Sequence, residues 1–235
     1  MPKIERDSLF SLEAYAKRRD EFRAQVIAHK KRRKVQLGDH LLLDFEDELT
    51  IRYQIQEMLR IERIFEEDGI RGELEAYNPL VPDGRNLKAT MLIEYPDLAE
   101  RKAALARLKG IEDRLWVQVE GCTKVYAIAD EDLERENEEK TSSVHFLRFE
   151  LTDEMASALK RGSNLGVGVD HAEYRAEISP LVPSVRDALV ADLAGGVWPH
   201  CLRLRASRAA RTCRRRSAIW RLTPGPPRSR PMKKW

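Results

Sequence analysis

Apolar residues recur with a helical period from Ser11 to about Arg33, where Leu12, Tyr15, Phe22 and Val26 fall on one stripe. This predicts a long first helix ending in the run His29-Lys30-Lys31-Arg32-Arg33-Lys34, whose cations suit the negative end of the helix dipole. Leu41-Leu42-Leu43 reads as a short buried strand or turn, and Thr50 has the hydroxyl of a helix cap. The helix it opens is expected to run to about Glu67, with Gly69 closing it. After Asp83-Gly84 the pattern changes to the alternation of strands. Leu87 to Tyr95 reads as a strand, Asp97 opens a helix to Lys109, and residues 115–119 with 125–128 read as a hairpin across Gly121-Cys122. The acidic stretch Asp130 to Lys140 is a linker or an exposed helix. Val144 to Leu151 is a further strand, and Thr152 caps a helix to Arg161. Gly166 to His171 and Tyr174 to Ile178 form a second hairpin, and Val185 to Leu193 a last helix. Helices followed by hairpin-linked strands imply an α+β fold, with N-terminal helices packed on a mostly antiparallel β-sheet. Residues 1–194 are expected to be a single domain, helical over 1–84 and sheet-rich over 85–194.

Charge divides the chain at the end of that last helix. No Asp or Glu follows Asp192, and 12 of the 42 Lys and Arg lie in the last 41 residues, leaving the first 194 with 30 basic against 39 acidic side chains, net −9. From Gly195 onward Asn, Gln, Phe and Tyr are also missing, while Arg, Pro, Trp198, Trp220, Trp235, Cys201 and Cys213 appear without helical or strand period. Residues 195–235 therefore read as a basic, disordered tail of non-native or frame-shifted composition. The other reading is a basic arm that neutralises phosphate and releases counterions on nucleic acid. In the body the run His29 to Lys34 could grip phosphate too, but Asp39, Asp44, Glu46, Asp47 and Glu48 follow closely, which favours a solvated, internally balanced face. The chain has no run of 18 apolar residues, its start has no apolar secretory stretch, and the body has Cys122 as its one cysteine. A reducing cytoplasm, no membrane span and no disulfide framework are expected.

Standard catalytic motifs are missing from the sequence. There is no phosphate-binding loop, and Gly162, Gly166 and Gly168 lack the strand-turn-helix context of a dinucleotide fingerprint. One cysteine in the body cannot build an iron-sulfur or structural zinc site. The second helix does carry an anomaly: Glu62 falls in the middle of an apolar arc of Ile55, Met58, Leu59, Ile61 and Phe65, with Gln54 near it and Glu57 at its edge. A buried carboxylate needs an arginine, a hydrogen-bond network, a proton or a metal. The plain account is a salt bridge to an arginine such as Arg71 or Arg85, or an exposed face. His145 alternates with Leu147, Phe149 and Leu151, and His171 with Val167 and Val169, so both histidines are expected to look toward the core. Glu62, His145 and His171 would together make a facial triad for a divalent metal. Tyr77 and Asn78 before Pro79 are candidates for the same cleft, although Asn-Pro is also an ordinary turn signal.

The stretches Thr50-Ile-Arg-Tyr-Gln-Ile-Gln-Glu-Met58, Glu73-Leu-Glu-Ala-Tyr-Asn-Pro-Leu-Val-Pro82, Ala89-Thr-Met-Leu-Ile-Glu94 and Ser142-Ser-Val-His-Phe-Leu-Arg-Phe149 resemble the bacterial domain of unknown function 3501 family. The resemblance spans roughly Ile4 to Leu193 and stops where the composition breaks. Where an Asn-Arg pair often precedes the cap threonine in that family, this chain has Asp47 and Glu48. The family has no assigned activity; its members are often encoded near rubrerythrin-like proteins and iron-sulfur proteins of heterodisulfide-reductase type, which implies a redox or peroxide-defence setting. Two readings follow. The chain is a non-catalytic binding or accessory subunit beside such redox proteins, favoured by the missing motifs, or a small metal-dependent enzyme using the Glu/His site. A third, nucleic-acid binding, depends wholly on the tail.

Overall fold

All strand pairings among the described residues are antiparallel, and they build two sheets. The computed structural model describes residues 4–129 and 141–193. The first sheet has the order β1 (Lys34–Leu37), β2 (Leu41–Phe45), β3 (Asn86–Ile93), β7 (Val144–Glu150), β6 (Ile128–Ala129). The second has the order β5 (Val125–Tyr126), β4 (Leu115–Val119), β8 (Leu165–His171), β9 (Tyr174–Ile178). Six α-helices accompany them: α1 (Leu12–Lys30), α2 (Glu48–Glu62), α3 (Glu67–Tyr77), α4 (Leu98–Arg107), α5 (Asp153–Lys160) and α6 (Pro183–Val190). The fold is α+β with antiparallel sheets, as the alternation of the sequence implies. The acidic stretch 130–140 and the basic tail 195–235 lie outside the described residues. Among the described residues no helix is long and apolar enough to cross a membrane.

Both sheets feed one core. Leu43, Phe45, Met91 and Phe149 of the first sheet and Leu115, Val117, Leu165 and Val167 of the second are fully buried in it, closed by Leu105 of α4, Met155 and Leu159 of α5, and Val185 and Leu189 of α6. Strand β8 tolerates two glycines for a packing reason. Gly168 stands opposite Trp116 in the register, and a Cβ there would overlap the indole ring. The hairpin of β1 and β2 is tied to the second sheet by Tyr174, whose hydroxyl donates to the Leu37 carbonyl at 2.7 Å and accepts the His40 N–H at 3.1 Å. Gly38 between the two strands has φ +63, and a Cβ on it would come within 2.5 Å of that hydroxyl, so this turn requires glycine twice over.

Helices α1, α2 and α3 bury a second set of side chains, among them Tyr15, Val26, Ile51, Ile55, Leu59 and Ile70. Rings of Phe22 and Tyr53 meet edge to face at 5.9 Å across α1 and α2, within the range of favourable aromatic pairs. Four local expectations need correction. The short buried strand read at Leu41-Leu42-Leu43 is β2, but strand β1 was not expected, and both join β3 in one sheet, so the division at residue 84 does not follow the sheet. The cap of α2 is Asp47, whose carboxylate accepts the Thr50 N–H at 2.9 Å while the Thr50 hydroxyl accepts the Asp47 N–H at 2.9 Å, a reciprocal capping box. Helix α2 ends at Glu62 because Arg63 turns left-handed at φ 55, and α3 follows. Gly69 therefore closes nothing. It sits inside α3, where a Cβ would approach Ile64 Cγ2 to 2.6 Å. The hairpin after Gly121-Cys122 is also shorter than expected, since Ile128 crosses to pair with Arg148 in the first sheet.

The cationic run at the end of α1 is balanced, as its acidic neighbours suggest, with Lys31, Arg32 and Lys34 exposed, but Arg33 is turned inward instead of solvated. Arg33 is 1% exposed, with Asp44, Glu46 and Asp192 at 5%, 3% and 6%. Its guanidinium donates to the carbonyls of Phe45 (2.9 Å), Glu46 (3.1 Å) and Ala188 (3.2 Å) and to the Asp192 carboxylate, and lies 3.4 Å from Asp47. Beside it Lys30 binds Asp44 at 2.8 Å and His29 meets Asp47 at 2.5 Å. One residue thus fastens the end of α1, the end of β2 and the end of α6.

Arg33→Met should lower unfolding stability by about 3 kcal/mol or more, read by thermal or urea unfolding, because it strands Asp192 and three carbonyls in a dry interior. Burial outweighs the pull of Arg33 and raises the Asp192 carboxyl to about 6. The folded state then holds this proton more tightly than the unfolded chain. Its contribution to stability is complete below the ordinary aspartate range and lost as pH rises through about 6. Asp192→Asn should flatten that segment of the stability-pH curve. An unchanged slope would show that Asp192 is ionised throughout.

Candidate functional site

Of the three glutamates of helix α2, Glu57 and Glu62 lie on different faces, and the structure exchanges the roles expected of them. Glu57 is 4% exposed and receives the Tyr15 hydroxyl at 2.7 Å, Arg19 Nε at 2.7 Å and Nη2 at 3.0 Å, and Arg60 Nη2 at 3.0 Å. It is the buried carboxylate of the helix. Although burial alone would raise it, the bonds from Arg19, Arg60 and Tyr15 hold its pKa down at about 2. Its partners are Arg19 and Arg60; Arg71 instead pairs with Asp68, and Arg85 lies 3.5 Å from Asp153. Glu57 thus anchors α1 to α2, and all its lone-pair directions face cations or a hydroxyl of the chain itself.

Glu62 stands on the other face, half-buried, against α3. There the structure gathers three of the residues singled out from sequence. Gln54 and the charges of Glu73 and Glu62 all act on the Tyr77 hydroxyl. Burial, then the Glu73 charge, pushes Tyr77 above the ordinary phenol range. Burial, then Glu62, likewise raises Glu73. Glu73 was invisible while α3 was read as loop: it is four residues before Tyr77, on the same helical face. The apolar arc around Glu62 is only partly buried. Ile55, Met58 and Leu59 enter the core, whereas Ile61 is 43% and Phe65 71% exposed at the corner between α2 and α3. The stretch from Glu62 to Glu75 is acid-rich, and two of its carboxylates are paired, Glu67 with Arg6 at 3.1 Å and Asp68 with Arg71.

The two histidines lie in separate sheets. His145 on β7 is 2% exposed and faces the interior, as alternation implies. Its Nε2 lies 3.0 Å from the Ser142 carbonyl, an acceptor only, so this nitrogen carries the proton and also donates to the Thr141 hydroxyl at 2.9 Å. Thr141 in turn donates to Glu112 at 3.4 Å. His171, at the end of β8, sits half-exposed rather than in the core. Its Nδ1 accepts the Glu173 N–H at 3.2 Å, which leaves Nε2–H to donate to the Lys109 carbonyl at 3.0 Å. Glu62, His145 and His171 do not converge. Among the described residues no group of three or more His, Cys, Asp or Glu side chains comes together to hold a metal ion. His171 does line a cleft of about 380 Å³ with Lys109, Gly110, Asp113, Arg114, Asp170 and Arg175, none of which except His171 stood out in the sequence.

Residues 3–193 match the model of a family described as "Protein of unknown function (DUF3501)". The chain belongs to this family. A solved structure from Burkholderia pseudomallei K96243, described as a novel protein of unknown function, is similar at 60% identity and a TM-score of 0.79; the match covers 82% of this chain and 100% of that one. The basic tail thus falls beyond the family match, which ends at the last residues of the body. Among curated proteins none matches the chain.

Glu57→Leu should cost about 3 kcal/mol or more in unfolding stability, since it strands Arg19 and the Tyr15 hydroxyl. Glu62→Leu should change stability by about 1 kcal/mol or less. Because its folded pKa is depressed, Glu57 contributes stability that is complete above the ordinary glutamate range and lost as pH falls toward about 2. Acid unfolding of Glu57→Gln, compared with the parent, should show that acid-limb slope removed.

Proposed function

We propose that this protein is a non-catalytic binding or accessory subunit that docks on redox proteins of rubrerythrin or heterodisulfide-reductase type through the corner between α2 and α3. The observation that carries the proposal is Phe65, 71% exposed in an acid-rich stretch with Glu62, Glu66, Glu67 and Asp68. A large aromatic side chain left in water forfeits its hydrophobic gain, and exposed aromatics rimmed by charge are the anchors of protein interfaces. The crowd of acids predicts a partner surface that is basic around an apolar pocket, with association that weakens as salt screens the pair. The redox setting is what the family resemblance implies. The metal-enzyme reading finds no converging ligands among the described residues. Nucleic-acid binding rests on residues 195–235, outside them.

Titration calorimetry of the full chain against purified rubrerythrin-like and heterodisulfide-reductase-type proteins tests the proposal. Saturable binding is expected, weakened about tenfold or more by Phe65→Ala, the loss usual for a central aromatic anchor. Unfolding midpoints should not change, because Phe65 is outside the core. Absent binding, or binding indifferent to Phe65, would defeat this reading.

A further inference from the structure

Two side-chain amides grip the main chain of residues 4–10, the segment ahead of α1. Asn78, directly after α3, accepts the Ile4 N–H at 2.8 Å and donates to the Ile4 carbonyl at 3.0 Å. Gln56 of α2, fully buried, does the same at the other end, accepting the Phe10 N–H at 2.6 Å and donating to the Phe10 carbonyl at 3.4 Å. Each amide thus engages both main-chain groups of one residue, as a neighbouring β-strand would. Ile4 and Leu9 are buried, at 3% and 6% exposure, whereas Glu5, Asp7 and Ser8 between them are exposed. Arg6 reaches Glu67 at 3.1 Å in a pair open to water.

A segment fastened in this way comes off as a unit. Its short 3-10 turn, Arg6–Ser8, closes on itself: Ser8 N–H donates to the Glu5 carbonyl at 3.0 Å and Leu9 N–H to the Arg6 carbonyl at 3.1 Å, and these bonds travel with it. It lends no side chain to the core that the two sheets share, and it pairs with no strand. Its link to the helices is Ser11, the cap of α1. Side-chain amides read a main chain that every peptide presents. Specificity then comes from the two buried positions, which select apolar residues five apart, and from Glu67, which favours a cation between them.

We propose that this face of α2 and α3 recognises a short peptide of a partner protein, bearing two apolar residues five positions apart with a basic residue between, and that residues 4–10 fill it as a strap which the partner displaces. A tethered strap competes at an effective concentration of about millimolar. Against a site of about 100 µM affinity it weakens a free peptide about tenfold, which reserves the site for a partner that binds well or is already held nearby. No part of this rests on Phe65 or on a redox partner, so the two readings fail separately.

The probe is the peptide of residues 4–11, acetylated at Ile4 and carrying a fluorophore after Ser11. It is titrated by fluorescence anisotropy with the full chain and with Ile4→Ser/Leu9→Ser, which loosens the strap and leaves its site intact. A Kd of about 100 µM or tighter is expected for the double variant, about tenfold weaker for the parent, and about tenfold weaker when Gln56→Ala is added to the double variant. The basic tail is common to all three proteins, so a difference between them belongs to the site. No saturable binding to the double variant at about 1 mM protein, equal affinity in parent and double variant, or indifference to Gln56→Ala overturns the proposal. Amide hydrogen exchange of the parent alone gives a second reading that needs no variant. The Ile4 and Phe10 N–H groups should exchange together, and about tenfold or more faster than those of β3, because the strap opens without the core. Exchange as slow as that of β3 would show that the segment leaves only on global unfolding, and would overturn the proposal as well.

Discussion

The guanidinium of Arg33 joins parts of the chain that are far apart in sequence and have no other common neighbour. Four hydrogen bonds and an ion pair occupy its donors, and their acceptors come from β2, the cap of α2 and α6. Such a group cannot be moved in parts. If the end of α6 leaves, Arg33 loses the Ala188 carbonyl and Asp192 together; if α1 shifts, the carbonyls at the end of β2 lose their donor. In a dry environment a charge without its partners is several kcal/mol worse than one with them, so the three elements are held in one mutual arrangement or not at all. The same fastening sets where α2 begins, because Asp47 both caps that helix and faces Arg33 and His29.

Once α2 is set, Glu57 and Glu62 part company. Glu57 points to α1 and is consumed by Tyr15, Arg19 and Arg60. A carboxylate so fully engaged has no capacity for substrate or metal, and its depressed pKa keeps it charged throughout the physiological range. Glu62 lies on the side of α3, where its charge acts on Glu73 and Tyr77. The packing that buries Glu57 therefore also produces the acidic corner with Phe65 at its tip.

Much of the fold was legible because its signals are local. Alternation places β3, β7 and the β8-β9 hairpin, and the Asp97 and Thr152 caps place α4 and α5 close to their observed starts. Helix α3 was hidden because Gly69 inside Glu67–Tyr77 reads as a terminator, while the true end of α2 is a left-handed arginine, a conformation most side chains avoid. Strand β1 was hidden because Lys34 and Gln36 complete a basic run that looked continuous with the helix before it. The site was less legible than the fold. A helical wheel ranks Glu62 above Glu57 as the buried acid, but it cannot see that α1 supplies Tyr15 and Arg19 to the second face. His145 behaved as strand alternation requires; His171 did not, because it is the last residue of its strand and turns to meet Lys109.

The two surfaces left over from folding have opposite signs and lie on different elements. The α2-α3 corner is acidic with an exposed aromatic tip, and the cleft at the β8-β9 turn is basic and walled by a histidine that braces it. Neither feature serves the core: Phe65 would bury more area as part of the stripe it ends, and Arg114 and Arg175 gain no ion pair among the described residues. A body selected only to fold would lose little by replacing each with a polar neutral residue, since exposed substitutions away from packing change stability by only a few tenths of a kcal/mol. The charges that hold the elements together are paired, from Arg33 to Glu57 to Asp170.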